Sequence, residues 1–100
     1  MVKEITEKSE IPNGKVVIDF HATWCGPCKR IAPVYVELSE KYSSITFLKV
    51  DVDEAEILAA EYSVTSLPTI LFLNDHKEVA VVEGADLRKV IDHLEALEKA

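Results

Sequence analysis

The sequence predicts an α/β domain: a central mixed β-sheet with helices on both faces. Three observations predict it. Short apolar runs alternate with stretches of helical periodicity, which calls for parallel strands joined by helical crossovers. The last two apolar runs are separated only by a polar turn, which adds antiparallel strands. Finally, 100 residues at 48% hydrophobic, with three Gly and four Pro, suffice for one core and not two. A single domain over residues 1–100 is expected, with no repeat and no low-complexity segment.

Val2–Thr6 reads as a short edge strand. Ser9–Gly14 is turn chemistry, because Pro12 and Asn13-Gly14 block regular structure. Val16–Phe20, V-V-I-D-F, is a strand covered on both faces. A helical pattern begins at Cys25, with Ile31, Val34, Tyr35, Leu38 and Tyr42 on one stripe. Pro33 lies inside that pattern and should kink the helix rather than end it. Ile45–Val52 is a second buried strand. Asp53 and Glu56 then read as a capping box for a short helix over Glu54–Tyr62. Thr69–Leu73 and Val79–Val82 are strands of a hairpin turning at Asn74–Lys77. Asp86 caps a last helix, whose Leu87, Val90, Ile91, Leu94 and Leu97 form one apolar stripe.

Charge excludes some functions. Residues 1–50 hold seven Lys/Arg against six Asp/Glu, and residues 51–100 four against twelve, for a net −7. Nucleic-acid phosphates would be repelled by most of such a surface. The imbalance serves solubility, and it also leaves the half with the cysteines less acidic, where it could steer partners. No apolar run approaches the roughly 20 residues of a membrane helix. Lys3, Glu4, Glu7, Lys8 and Glu10 break any signal-peptide core, so a cytoplasmic location is expected, with no membrane partner.

The only two cysteines, Cys25 and Cys28, stand in Trp24-Cys25-Gly26-Pro27-Cys28-Lys29, where a buried strand gives way to a helix. Two intervening residues at a helix start let the sulfurs meet in a small ring. First-turn N–H groups and the helix dipole favour negative charge on the first sulfur, so Cys25 should ionise more readily than a free thiol. Cys28, one turn in, should be more shielded and act second. Lys29 and Arg30 add positive charge nearby. A zinc site would need four ligands, and the added candidates His21, His76 and His93 are scattered over three elements, so no metal is expected. A purely structural disulfide is disfavoured, because so short a loop constrains the unfolded chain little.

Two charges interrupt the buried strands. Asp19 breaks V-V-I-D-F, and a buried carboxylate is costly unless it is partnered or protonated; the alternative is an edge position facing water. Lys49 breaks I-T-F-L-K-V-D-V, unless it snorkels from the strand end.

W-C-G-P-C after a buried strand resembles the thioredoxin family, and the similarity runs through nearly all of residues 16–100. The resemblance implies the thioredoxin fold and protein-disulfide reduction. Cys25 would be the nucleophile and Cys28 the resolving thiol of a reversible Cys25–Cys28 disulfide. Asp19 would be the proton acceptor beneath Cys28, with Lys49 modulating it. It further implies a substrate groove formed by Trp24, Gly26, Pro27, Leu67, Pro68 and Gly84. In that groove Thr65-Ser66-Leu67-Pro68-Thr69 matches a loop with a cis proline, and Glu83-Gly84-Ala85 matches the third wall. Trp24 is in part a packing residue. The implied partners are disulfide-containing proteins and a thioredoxin reductase, with no bound cofactor; a monomer is expected.

Three features depart from the family pattern. The segment between Thr6 and Asp19 is shortened, with a loop where the first helix normally lies. His21 stands where an aromatic residue is usual, and alternation puts it on the face of Asp19. Glu83 stands where small or apolar residues are common. Two rival readings share the fold. One is a disulfide-forming or isomerising relative, against which Gly26-Pro27 argues, since oxidising relatives usually carry a His there. The other is a redox-inert binding subunit, whose role would survive replacement of both cysteines.

Overall fold

The computed structural model describes residues 1–100. The chain runs β1 (Val2–Glu4), β2 (Lys15–His21), α1 (Gly26–Lys41), β3 (Thr46–Asp51), α2 (Glu56–Glu61), β4 (Thr69–Asn74), β5 (Lys77–Glu83) and α3 (Leu87–Lys99). The strands form one sheet in the order β1-β3-β2-β4-β5. β2 is central because every residue from Val16 to Phe20 is buried. It pairs in parallel with β3 and antiparallel with β4. β1 adds a parallel edge to β3, and β5 an antiparallel edge to β4.

Alternation along the strands divides the core in two. Val17, Phe47, Ile70 and Phe72 point to the face covered by α1 and α3, where they meet Ile31, Tyr35, Leu38 and Leu94. Ile18, Phe20, Leu48 and Leu71 point to the other face and pack with Leu58 of α2, Ile5 and Ile11. Helices therefore cover both faces of a mixed sheet, as the alternation of apolar patterns implies. No helix is long and apolar enough to cross a membrane.

Two local readings need correction. The helix expected over Glu54–Tyr62 is Glu56–Glu61, and its N-cap is Ala55, with no side-chain cap. Asp53 does not cap it. The turn is instead closed by the Glu54 and Ala55 N–H groups donating to the Asp51 carbonyl, and by the Asp53 N–H donating to Asp51 Oδ1 at 2.9 Å. The Ser9–Gly14 loop is preceded and partly occupied by a 3-10 turn at Lys8–Glu10. Glu10 accepts hydrogen bonds from the Thr6 and Glu7 N–H groups, which hold its carboxyl below the usual range. Ile5 and Ile11, on either side of this turn, are buried, so a single short turn anchors the segment that lacks a first helix.

The β4–β5 hairpin turns on Asp75 and His76, both at positive φ (49° and 69°), the conformation two-residue hairpin loops demand. This turn is tied to the loop before β2. Gly14 N–H donates to Asp75 Oδ1 at 2.8 Å, Asp75 N–H donates to the Gly14 carbonyl at 2.9 Å, and His76 Nε2 lies 2.8 Å from Asn13 Oδ1. α3 starts as expected, with Asp86 accepting from the Lys89 N–H at 3.2 Å.

Candidate active site

The strand-to-helix junction after β2 carries the cysteines. Cys25 is the N-cap of α1 in extended conformation, followed by Gly26 and Pro27 in the first turn. Proline fits there because the first helical N–H groups have no intrahelical acceptor. Cys25 Sγ accepts from the Cys28 N–H at 3.2 Å, a first-turn donor aimed at the first sulfur. Cys25 and Cys28 form a disulfide across a Cα–Cα distance of 5.3 Å.

The expectation that Cys28 is the more shielded thiol needs restating. The two residues are equally buried, at 5% and 4% exposure. What separates them is the space each one borders. Cys25 lines an outer groove of about 520 Å³ together with Trp24, Gly26, Pro27, Ser66 and Leu67. Cys28 lines an inner cavity of about 290 Å³ together with Asp19, His21, Tyr35 and Lys49.

Pro68 and Gly84, expected in the groove wall, lie beside this groove and are not among the residues that line it. The Leu67–Pro68 peptide is cis. The Pro68 carbonyl accepts from the Gly84 N–H at 2.8 Å, which ties the end of β5 to the loop before β4. Gly84 has φ +96°, and beyond its two chain neighbours no atom lies within 4 Å of where a Cβ would stand. Its need for glycine is therefore the backbone conformation and not internal crowding. Trp24 is 68% exposed, and its indole N–H donates to Asp53 Oδ2 at 2.7 Å. Asp53 thus supports the groove wall, a role that sequence reasoning missed. The available signal was an exposed Trp whose N–H requires an acceptor.

The inner cavity collects the interrupting charges. Asp19 is 4% exposed on the central strand, which excludes the water-facing edge position. Burial pushes its carboxyl up to about 7, with the Lys49 ammonium partly opposing. Asp19 and Lys49 are register neighbours on β2 and β3. Lys49 is nonetheless half-exposed and pairs at 3.7 Å with Glu4 of β1, so it attends two carboxylates rather than neutralising one. Tyr35 reaches the carbonyls of Leu48 (2.7 Å) and Val17 (3.1 Å). Burial and the Asp19 carboxylate push its phenol well above the ordinary range, which keeps it protonated near neutrality. His21 completes the wall on the same face as Asp19. No three His, Cys, Asp or Glu side chains converge as a metal site requires.

Comparison with known proteins agrees with this geometry. The Thioredoxin family model matches residues 2–96. The chain is 46% identical over 89 residues to Thioredoxin-1 of Caenorhabditis elegans, covering 85% of this chain and 77% of that one. It is 44% identical over 97 residues to the thioredoxin of Equus caballus, covering 90% and 92%. Among solved structures, Plasmodium falciparum thioredoxin superposes with a TM-score of 0.88 at 37% identity, covering 94% of this chain and 97% of that one. Reduced Schistosoma mansoni thioredoxin gives 0.87 at 41%, covering 96% and 97%.

Proposed function

This chain belongs to the thioredoxin family, and from that premise we propose that Cys25 attacks substrate disulfides, Cys28 resolves the product and Asp19 takes the proton between them. Protein-disulfide reduction is the family's activity, with disulfide-bearing substrates and recycling by a reductase. The observation that carries the residue assignment is the division of space: Cys25 borders the open groove, and Cys28 borders the cavity that holds Asp19.

In the reduced protein the Cys25 thiolate, favoured by the first-turn N–H, attacks one sulfur of the substrate disulfide. A Cys25–substrate disulfide forms, and the other substrate sulfur leaves as a thiolate. Cys28 then gives its proton to the Asp19 carboxylate and attacks Cys25. The Cys25–Cys28 bond forms, the bond to substrate breaks, and the substrate departs with both electrons. An extended substrate segment fits the groove, pairing with backbone groups around Pro68 and Gly84 while Trp24 supplies apolar contact. Lys49 tempers the rise in the Asp19 pKa, and Glu4 limits how much.

We read the chain as a monomer working in the cytoplasm with a thioredoxin reductase. The support is that one chain supplies every wall of the groove, and that a dithiol of this kind needs a reducing compartment. The decisive experiment is trapping. Cys28→Ser is expected to accumulate mixed disulfides with partner proteins, and Cys25→Ser almost none. Equal trapping by both variants, or alkylation of Cys28 ahead of Cys25 near neutral pH, overturns the assignment. A measured reduction potential separates this reading from an oxidising relative.

A further inference from the structure

Two polar atoms at the inner cavity are fully shielded and have no partner within the protein: Asp19 Oδ1 and His21 Nε2. Their residues lie two apart on β2, so both side chains leave the strand on the face of Cys28. A buried polar atom without a partner is costly, and where a cavity wide enough for water meets such atoms, water supplies the missing bonds. At about 290 Å³ the cavity has room for several waters, with Asp19 and His21 as polar anchors on a largely apolar lining. The two residues differ in access. Asp19 is 4% exposed, whereas His21, the last residue of β2, is only partly buried. Asp19 itself borders this half-open cavity, and His21, at the strand end, is the more exposed of the two groups.

We propose that His21 is a second proton-holding group of this site, positioned to receive through cavity water the proton that Asp19 takes from Cys28 and to release it to solvent. The proposal rests on Asp19 being the acceptor in the resolving step. After the Cys25–Cys28 bond forms, the proton on Asp19 moves to a cavity water as that water gives one to His21 Nε2. The imidazole, in the tautomer protonated at Nδ1, becomes an imidazolium and loses a proton to bulk solvent. Asp19 ends as it began, His21 is left protonated at Nε2 and regains its starting tautomer by proton exchange with water, and no electrons move in this part. The charged and titratable groups facing the pair are Lys49 and Asp51 from β3, and Cys28, Lys29 and Tyr35 from α1, with Glu4 of β1 behind Lys49. His21 acts through Asp19 and not on a sulfur, which makes it a positioning residue.

The test is titration by NMR in the oxidised protein, where no thiol ionises, combined with single-turnover reduction of a small disulfide substrate by the reduced protein. In the unaltered protein the Asp19 carboxyl carbon and the His21 ring are each expected to show the other's inflection. His21→Gln is expected to leave Asp19 a single step, displaced upward by about one pH unit, because the positive neighbour is gone. Reduction should then be roughly eightfold slower at pH 6.5 and nearly unchanged at pH 9. His21→Ser is expected to match His21→Gln, separating the imidazole's chemistry from its packing. If Asp19→Asn slows reduction but both His21 variants keep the original titration and pH profile, the inference is overturned and the role of Asp19 stands. If Asp19→Asn reduces substrate as fast as the unaltered protein, the role of Asp19 fails and takes this inference with it.

Discussion

Asp19 makes the stability of this protein depend on pH. Its carboxyl ionises near 7 in the folded chain, against about 3.9 when unfolded. Between those values the native state holds a proton that the unfolded chain has released, so stability falls as pH rises through the window, and the contribution of this group is fully lost above the folded value. The difference corresponds to an amount on the order of 4 kcal/mol at pH 8. Asp19→Asn is therefore expected to be more stable than the unaltered protein at pH 8, by roughly 2–4 kcal/mol. At pH 4, where Asp19 is protonated, the two should be nearly equal. Urea unfolding of both oxidised proteins at the two pH values measures this; equal differences at both would show that Asp19 is not desolvated. This residue was legible because a charge inside V-V-I-D-F contradicts its surroundings. Asp53 was not, because its partner Trp24 is 29 residues away in sequence and only the fold brings them together.

Among the elements, caps show how far local pattern carries. Asp86 and Asp53 both precede apolar helical stretches, yet only Asp86 caps a helix. Asp86→Ala is expected to cost about 1 kcal/mol by leaving the Lys89 N–H without its acceptor. Asp53→Ala should cost less in stability but release the Trp24 side chain, seen as a shift of its indole N–H resonance and slower reduction of protein disulfides. Equal destabilisation by the two, with Trp24 undisturbed, would restore the capping-box reading. Strand cores were legible from continuous apolar runs and β-branched residues, as in V-V-I and I-T-F-L. Their ends were not: β5 begins at Lys77, two residues before its apolar stretch, because hairpin pairing with Asn74 and not burial sets that boundary.

For the molecule as a whole, strand order and the meeting of three distant stretches at one groove are tertiary facts. Periodicity gave helices on both faces of a mixed sheet, but the order β1-β3-β2-β4-β5 needs pairing partners that no local window contains. The resemblance to a known family supplied the expectation of a groove, of whose residues Trp24, Gly26, Pro27 and Leu67 border Cys25, and only the coordinates separated the surroundings of Cys25 from those of Cys28. Charge also acts at this scale. With a net −7 concentrated in residues 51–100, the chain attracts basic partners and repels acidic ones over roughly a Debye length of about 8 Å in physiological salt. The second-order rate for a basic disulfide peptide is expected to fall several-fold as salt rises from 20 mM to 500 mM, and that for an acidic peptide to rise. A neutral disulfide should be indifferent. Identical salt dependence for all three would remove electrostatic steering.

The contact between the Gly14 loop and the β4–β5 turn bears on how the sheet opens. Turn amides at a surface ordinarily trade their hydrogens with solvent through small local fluctuations. Here Gly14 and Asp75, 61 residues apart, each donate to the other's residue, so neither amide is released unless the start of β2 parts from the end of β4. Deuterium uptake at these two positions should therefore be slow and should follow the central strands. Asp75→Ala, which deletes the acceptor for Gly14, should return the Gly14 amide to fast exchange. The two turns would then mark the boundary of one cooperative unit, and this end of the domain would open last.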